Sequence, residues 1–167
     1  MWRVVFFAAP FFIPDKAPVP DPDLLPWSDE YLLGYGPMDG IHREFVEIVN
    51  AMLACPDAEF AARLEAFARH AEAHFKEEDG WMEKTEFPPR ECHVDEHAAV
   101  LKSVYQVMEV VKQGDVAEGR RLAAVLADWF PGHAFHLDSA LAHWMVKRSL
   151  GGKPVVIRRN VVVREES

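Results

Sequence analysis

The chain has 167 residues, half of them hydrophobic and 27% charged, with a formal net charge of −9. This is the composition of one soluble globular domain with a substantial core. The acidic balance and the lack of a basic stripe exclude a nucleic-acid partner, and no apolar run approaches the roughly 20 residues that span a bilayer. Cys55 and Cys92 form neither a CxxC pair nor a disulfide framework, so a reducing, cytoplasmic setting is expected.

Residues 1–26 are read as an N-terminal arm. "MWRVVFFAAPFFIP" begins like a secretory leader, with one Arg and a short apolar run. Pro10 and Pro14 interrupt it and no small-x-small cleavage site follows, so an extended arm on the domain is expected, with a cleaved leader as the alternative. The Pro-rich "PDKAPVPDPDLLP" continues the arm.

Residues 27–150 carry four helical patterns. The first runs from Met38 to Ala54, with Met38, Ile41, Phe45, Ile48, Val49 and Met52 on one face and Pro56 just beyond its end. The second runs from Asp57 to Lys84, with Phe60, Leu64, Phe67, Ala71 and Trp81 in near-heptad spacing, and "FPPR" stops it. The third runs from Glu91 to Lys112 and closes at "QGD". The fourth runs from Val116 to Arg148, where Pro131 in "WFPGH" is expected to kink or break it. Short connections make consecutive helices antiparallel neighbours, so the expected fold is all-α, an up-down-up-down four-helix bundle. Residues 151–167 form a C-terminal tail whose two β-branched runs suit either a strand against Val4–Phe7 or a loosely held end.

The polar residues on the apolar stripes carry the functional signal. His42 lies between Ile41 and Phe45, and His74 and Glu78 continue the second helix's stripe. His93 and His97 lie one turn apart on the stripe of Val100, Leu101 and Val104, and the fourth helix carries His133, His136 and Asp138 in "HAFHLD". In an up-down bundle all of these fall towards one end. Satisfied singly, each needs its own buried partner, and an unpaired one costs about 1–3 kcal/mol. One shared metal centre satisfies them together. Periodicity does not choose between His136 and Asp138, because a spacing of five turns Asp138 away from His133. By the same layout Cys55 lies at the far end from Cys92. A helix of about 17 residues rises roughly 25 Å, too far for a disulfide.

"HREF", "HFKEE", "HVDEH" and the Trp…His…Asp of the fourth helix, with the lead-in "PWSDEYLLGYGPMDGIH", resemble the hemerythrins, especially the bacterial single-domain type. The resemblance runs from Trp27 to Val146 and implies the four-helix bundle. It also implies a di-iron centre with an oxo or hydroxo bridge. His93, His97 and His133 would bind one iron, His42 and His74 the other, and Glu78 and Asp138 would bridge them. His70, His136 and His143 have no place in that pattern and read as surface or supporting groups. In the family, Ile usually follows the fourth-helix histidine and Leu the tryptophan. Here they are Ala134 and Phe130. Either the two changes compensate and the pocket wall stays closed, or Ala134 and the Pro131 kink open a path to the metal.

The implied ligand set leaves one coordination position free, on the iron with two histidines. A ferrous ion with a vacancy takes dioxygen, and its neighbour shares the electron load. Ferritin-like di-iron sites are built on four carboxylates and two histidines, whereas an imidazole-rich site keeps the chemistry near reversible binding. Zinc prefers closed four-coordinate or three-plus-water sites, and imidazoles with carboxylates and no thiolate suit iron. The expected function is therefore reversible dioxygen binding, for transport, storage or sensing, without catalysis. The alternative is a di-iron enzyme acting on nitric oxide or peroxide, or in iron–sulfur repair. A regulatory module would need an output domain, and none is visible. A monomer or weak oligomer is expected.

Overall fold

The computed structural model describes residues 24–149. The first 23 residues of the expected arm and the expected tail lie outside the described residues. A short 3-10 turn, Asp29–Tyr31, leads into α1 (Gly36–Ala54), α2 (Asp57–Thr85), α3 (Arg90–Lys112) and α4 (Val116–His133). A single π-helical turn, Ala134–Asp138, joins α4 to α5 (Ser139–Ser149), and the three together make the fourth rod. α1 and α3 each pack against α2 and α4, which closes the four-helix bundle. Among the described residues no strand forms and no helix is long and apolar enough to cross a membrane.

Local chemistry sets the ends of the rods. Pro37 sits in the first turn of α1, where its missing amide costs nothing. α2 ends where Glu86 turns left-handed at φ 53° and the Phe87 amide donates back to the Met82 carbonyl, ahead of Pro88 and Pro89. Gly114, at φ 101°, makes the turn after α3 that a side chain would strain. Asp115 then caps α4 by accepting from the Glu118 amide. Arg120 ties the far end of the bundle. Its guanidinium donates to the Met52, Leu53 and Cys55 carbonyls and to the Asp57 carboxylate, so it satisfies the orphan carbonyls at the end of α1.

α4 runs through Pro131 without ending, and the rod departs from α geometry one turn later. The Ser139 amide reaches back five residues to the Ala134 carbonyl, and the Ser139 hydroxyl donates to the Phe135 carbonyl. Such wide turns arise from one extra residue and occur often at functional sites.

Two apolar clusters fill the interior. The larger contains Phe45, Val49, Met52, Phe60, Leu64, Phe67, Leu122, Leu126 and Phe130. The smaller contains Met38, Met82, Phe87, Leu141 and Ala142. His42, Glu78 and Asp138 come between these clusters along their own rods, so a polar layer lies between two apolar ones. Leu25, placed in the arm by sequence, belongs to the larger cluster, and its backbone pairs with the Asn50 side chain at 2.8 and 2.9 Å. Cys55 and Cys92 are both free thiols.

At Gly119 α4 passes close to α2 and α3. A Cβ there would collide with the Phe60 ring and lie 2.9 Å from Val111 Cγ2. Phe60 is fully buried, with Arg120 over its ring, so it cannot move aside. Gly119→Ala is expected to destabilise the bundle by about 1–3 kcal/mol despite its gain in helix propensity. Urea denaturation measures this, and a variant as stable as the parent would show that the packing yields.

Candidate metal centre

All seven residues singled out by sequence meet in one layer, each at most 3% exposed. α1 supplies His42, α2 His74 and Glu78, α3 His93 and His97, α4 His133, and the π turn Asp138. The wide turn solves the spacing problem. In α geometry five residues rotate Asp138 by about 140° from His133. With the extra residue absorbed, Asp138 Oδ1 lies 3.2 Å from His133 Nε2.

The donors fall into two sets. Glu78, His93, His97, His133 and Asp138 gather at one point, and His42, His74 and Glu78 at a second. Both carboxylates are divided between them. Glu78 turns Oε1 to His74 Nε2 at 3.0 Å and Oε2 to His97 and His93 at 3.3 and 3.5 Å. Asp138 turns Oδ2 to His42 Nε2 at 2.9 Å and Oδ1 to His93 and His133 at 3.0 and 3.2 Å. One point is thus faced by three imidazoles and an oxygen of each acid, and the other by two imidazoles and Glu78 Oε1, with Asp138 Oδ2 reaching His42.

The outward nitrogens explain why this layer needs a cation. His42 Nδ1 lies 3.2 Å from the Tyr31 carbonyl, His97 Nδ1 2.9 Å from Asp79, and His133 Nδ1 3.1 Å from Glu96. Each of these partners only accepts, so each ring must donate from Nδ1, which leaves Nε2 as a bare lone pair in the neutral ring. Those lone pairs face carboxylate oxygens, and His97 Nε2 and His133 Nε2 face each other at 3.3 Å. Acceptor meets acceptor throughout. Glu78 Oε2, Asp138 Oδ1 and His93 Nε2 are buried without a hydrogen-bond partner, and these are atoms of the three-imidazole point. Protons or a metal ion can relieve the conflict. Burial opposes charge on His133, but Asp138, Glu96 and Glu78 outweigh it and push its pKa up to about 10. His42 and His93 are likewise raised against burial, chiefly by Asp138. Burial pushes both Glu78 and Asp138 up, and Asp138 adds to this at Glu78, yet the surrounding imidazoles hold both well below the usual carboxylate range. The donor set therefore fits a metal centre: neutral nitrogens, ionised carboxylates and a deficit of positive charge.

The groups that orient the rings were not found by sequence. Neither Asp79 nor Glu96 lies on the apolar stripes from which the site was read. Glu96 also accepts from Trp129 Nε1 at 2.8 Å, and the Trp129 ring lies 4.3 Å from that of His133. Its place beside His97 in "HVDEH", with Trp129 four before His133, was the available signal. Tyr31 is positioned by Asp39, which accepts from the Leu33 and Gly34 amides and closes the loop before α1. His136 and His143 are exposed, and His70 is partly buried beside His74.

The wall beside the two-imidazole point is apolar. Phe130 stacks on Phe45 at 4.3 Å and meets the edges of Tyr31 and His42 at 5.1 and 5.2 Å. Phe130 is fully buried and Ala134 is 1% exposed. The burial of both is what the compensating alternative expects of this wall.

Residues 33–144 match the hemerythrin HHE cation-binding domain. The chain belongs to the hemerythrin family. A bacteriohemerythrin of Ralstonia nicotianae is 38% identical over 125 residues, covering 75% of this chain and 91% of that protein. No solved structure matches it.

Two outcomes follow for a hemerythrin with this layer. Without metal, His133 holds a proton at neutral pH, and a cation must displace it. Anaerobic addition of ferrous iron to metal-free protein in weak buffer is expected to release protons, with affinity falling as the pH is lowered. A pH-stat trace without proton release would show that the rings are already neutral. Glu96→Leu, which removes the acceptor for both His133 and Trp129, is expected to weaken metal binding about 10–100-fold, measured by chelator competition.

Proposed function

We propose that this chain binds dioxygen reversibly at a non-haem di-iron centre. His93, His97 and His133 would hold one iron, His42 and His74 the other, and Glu78 and Asp138 would bridge them. The observation that carries the proposal is the division of both carboxylates: each acid turns one oxygen to two imidazoles of the His93, His97 and His133 set and the other to one imidazole of the His42 and His74 pair. The similarity to a bacteriohemerythrin over most of both chains supports the same reading. When bound, a pair of ferrous ions supplies electrons to dioxygen and recovers them on release.

The residues of the chain have separate tasks in this reading. The two-imidazole point has one protein donor fewer than its neighbour, which leaves room there for a small ligand. Phe45, Phe130 and Tyr31 wall that side with rings, keeping out the water and anions that would displace the ligand. Tyr31, Asp79 and Glu96 fix the ring tautomers of His42, His97 and His133 so that their Nε2 atoms point inward. Neutral imidazoles outnumber carboxylates five to two in this set, which suits binding better than oxygen cleavage.

Purified protein is expected to hold two irons per chain. Glu78→Ala and Asp138→Ala should each lose both, while His136→Ala keeps both. Ferrous protein exposed to dioxygen is expected to give a lasting spectrum that reverses under vacuum. Sustained turnover of nitric oxide or peroxide, with no reversible oxygenated form, would make it a di-iron enzyme instead. Full iron retention after loss of either carboxylate would overturn the bridging assignment.

A further inference from the structure

Of the two imidazoles at the proposed ligand-binding point, His42 donates from Nδ1 to the Tyr31 carbonyl. His74 has no such partner: its Nδ1 is buried and unbonded. Since His74 Nε2 is turned inward to Glu78 at 3.0 Å, a neutral ring that binds metal there must carry its proton on Nδ1. A buried donor of this kind needs an acceptor.

One turn earlier on α2, His70 offers one. Its ring centroid lies 5.7 Å from that of His74, edge to face. Its side chain is 9% exposed, and its Nε2 is a second buried, unbonded nitrogen. On its other side, His70 Nδ1 lies 3.6 Å from the Glu44 carboxylate of α1, which favours the proton on Nδ1 and leaves Nε2 a bare acceptor. Donor and acceptor are complementary across one helical turn. Among the described residues, these are the two buried histidine nitrogens without partners on this side of the layer.

We propose that His70 is the positioning residue of His74, accepting its Nδ1 proton through one bridging water and fixing the ring against the iron it holds. A water with two such partners is well placed to persist in a buried site. Glu44, His70, the water and His74 then form a polarised line on the two-imidazole side, matching what Asp79 and Glu96 do directly on the other. Withdrawing the Nδ1 proton towards an acceptor makes the imidazole a stronger donor and favours the ferric state of that iron.

The inference rests on the di-iron reading, and the test separates the two. Iron-loaded wild type, His70→Gln and His70→Leu are compared by chelator competition and by midpoint potential. His70→Gln keeps a side-chain carbonyl as acceptor; His70→Leu has none. One of the two irons is expected to be held about tenfold more weakly in His70→Leu, with a higher midpoint potential, and His70→Gln should restore both towards wild type. Equal values in wild type and His70→Leu, or equal losses in both variants, would overturn the inference. A high-resolution crystal structure of the loaded wild type gives an arm that needs no variant. A water shared by His70 Nε2 and His74 Nδ1 is expected, and His74 Nδ1 bonded to any other group would refute it. If the wild type holds no pair of irons, it is the functional reading that fails.

Discussion

The interaction on which this molecule depends is a repulsion. Five imidazole nitrogens and two carboxylates point at one another in a dry layer, and three of the rings have their protons held on the outward side by a carbonyl or a carboxylate. Left unrelieved, each such group would cost about 1–3 kcal/mol. Several together reach the whole stability of a domain, about 5–15 kcal/mol. The layer is therefore an incomplete structure that a cation completes, and the family's cation-binding domain agrees with that reading.

The rest of the fold holds this conflict in place. Apolar clusters lie on both sides of it, so water cannot relieve it by entering along the bundle axis. Low local polarity strengthens every electrostatic term inside. Phe75 stacks on His97 at 4.1 Å and Trp129 leans on His133 at 4.3 Å, so the rings cannot swing away from one another. Rigid rods supply the donors, and the loop that supplies the Tyr31 carbonyl is itself pinned by Asp39.

The four rods and the shared level of His42, His74, Glu78, His93, His97 and His133 were legible in the sequence. They follow from a 3.6-residue period and short connections, both of which are local. Asp138 was not legible from periodicity, since nothing local announces the wide turn that brings it round; the family resemblance supplied it. Pro131 marked the right rod but one turn too early, because the irregularity falls where the inward-facing Asp138 demands it. Asp79, Glu96 and the Tyr31 carbonyl escaped notice for another reason. Each meets its histidine across an interface between elements, and the register of one element against another is not written in either one alone.

The wide turn has a mechanical consequence. His133 stands just before it and Asp138 is its last residue, in the only π-helical turn among the described helices. On the proposed di-iron reading, an ion held by both residues would be a bracket bolted across the one joint in the rod. Load from α5, whose Leu141 and Ala142 anchor the smaller cluster, would then pass to the bundle through that bracket as well as through the backbone. Without the ion the joint would carry the load alone. The last rod should then loosen from its end inward, while the Arg120 end, tied through the α1 carbonyls, stays closed.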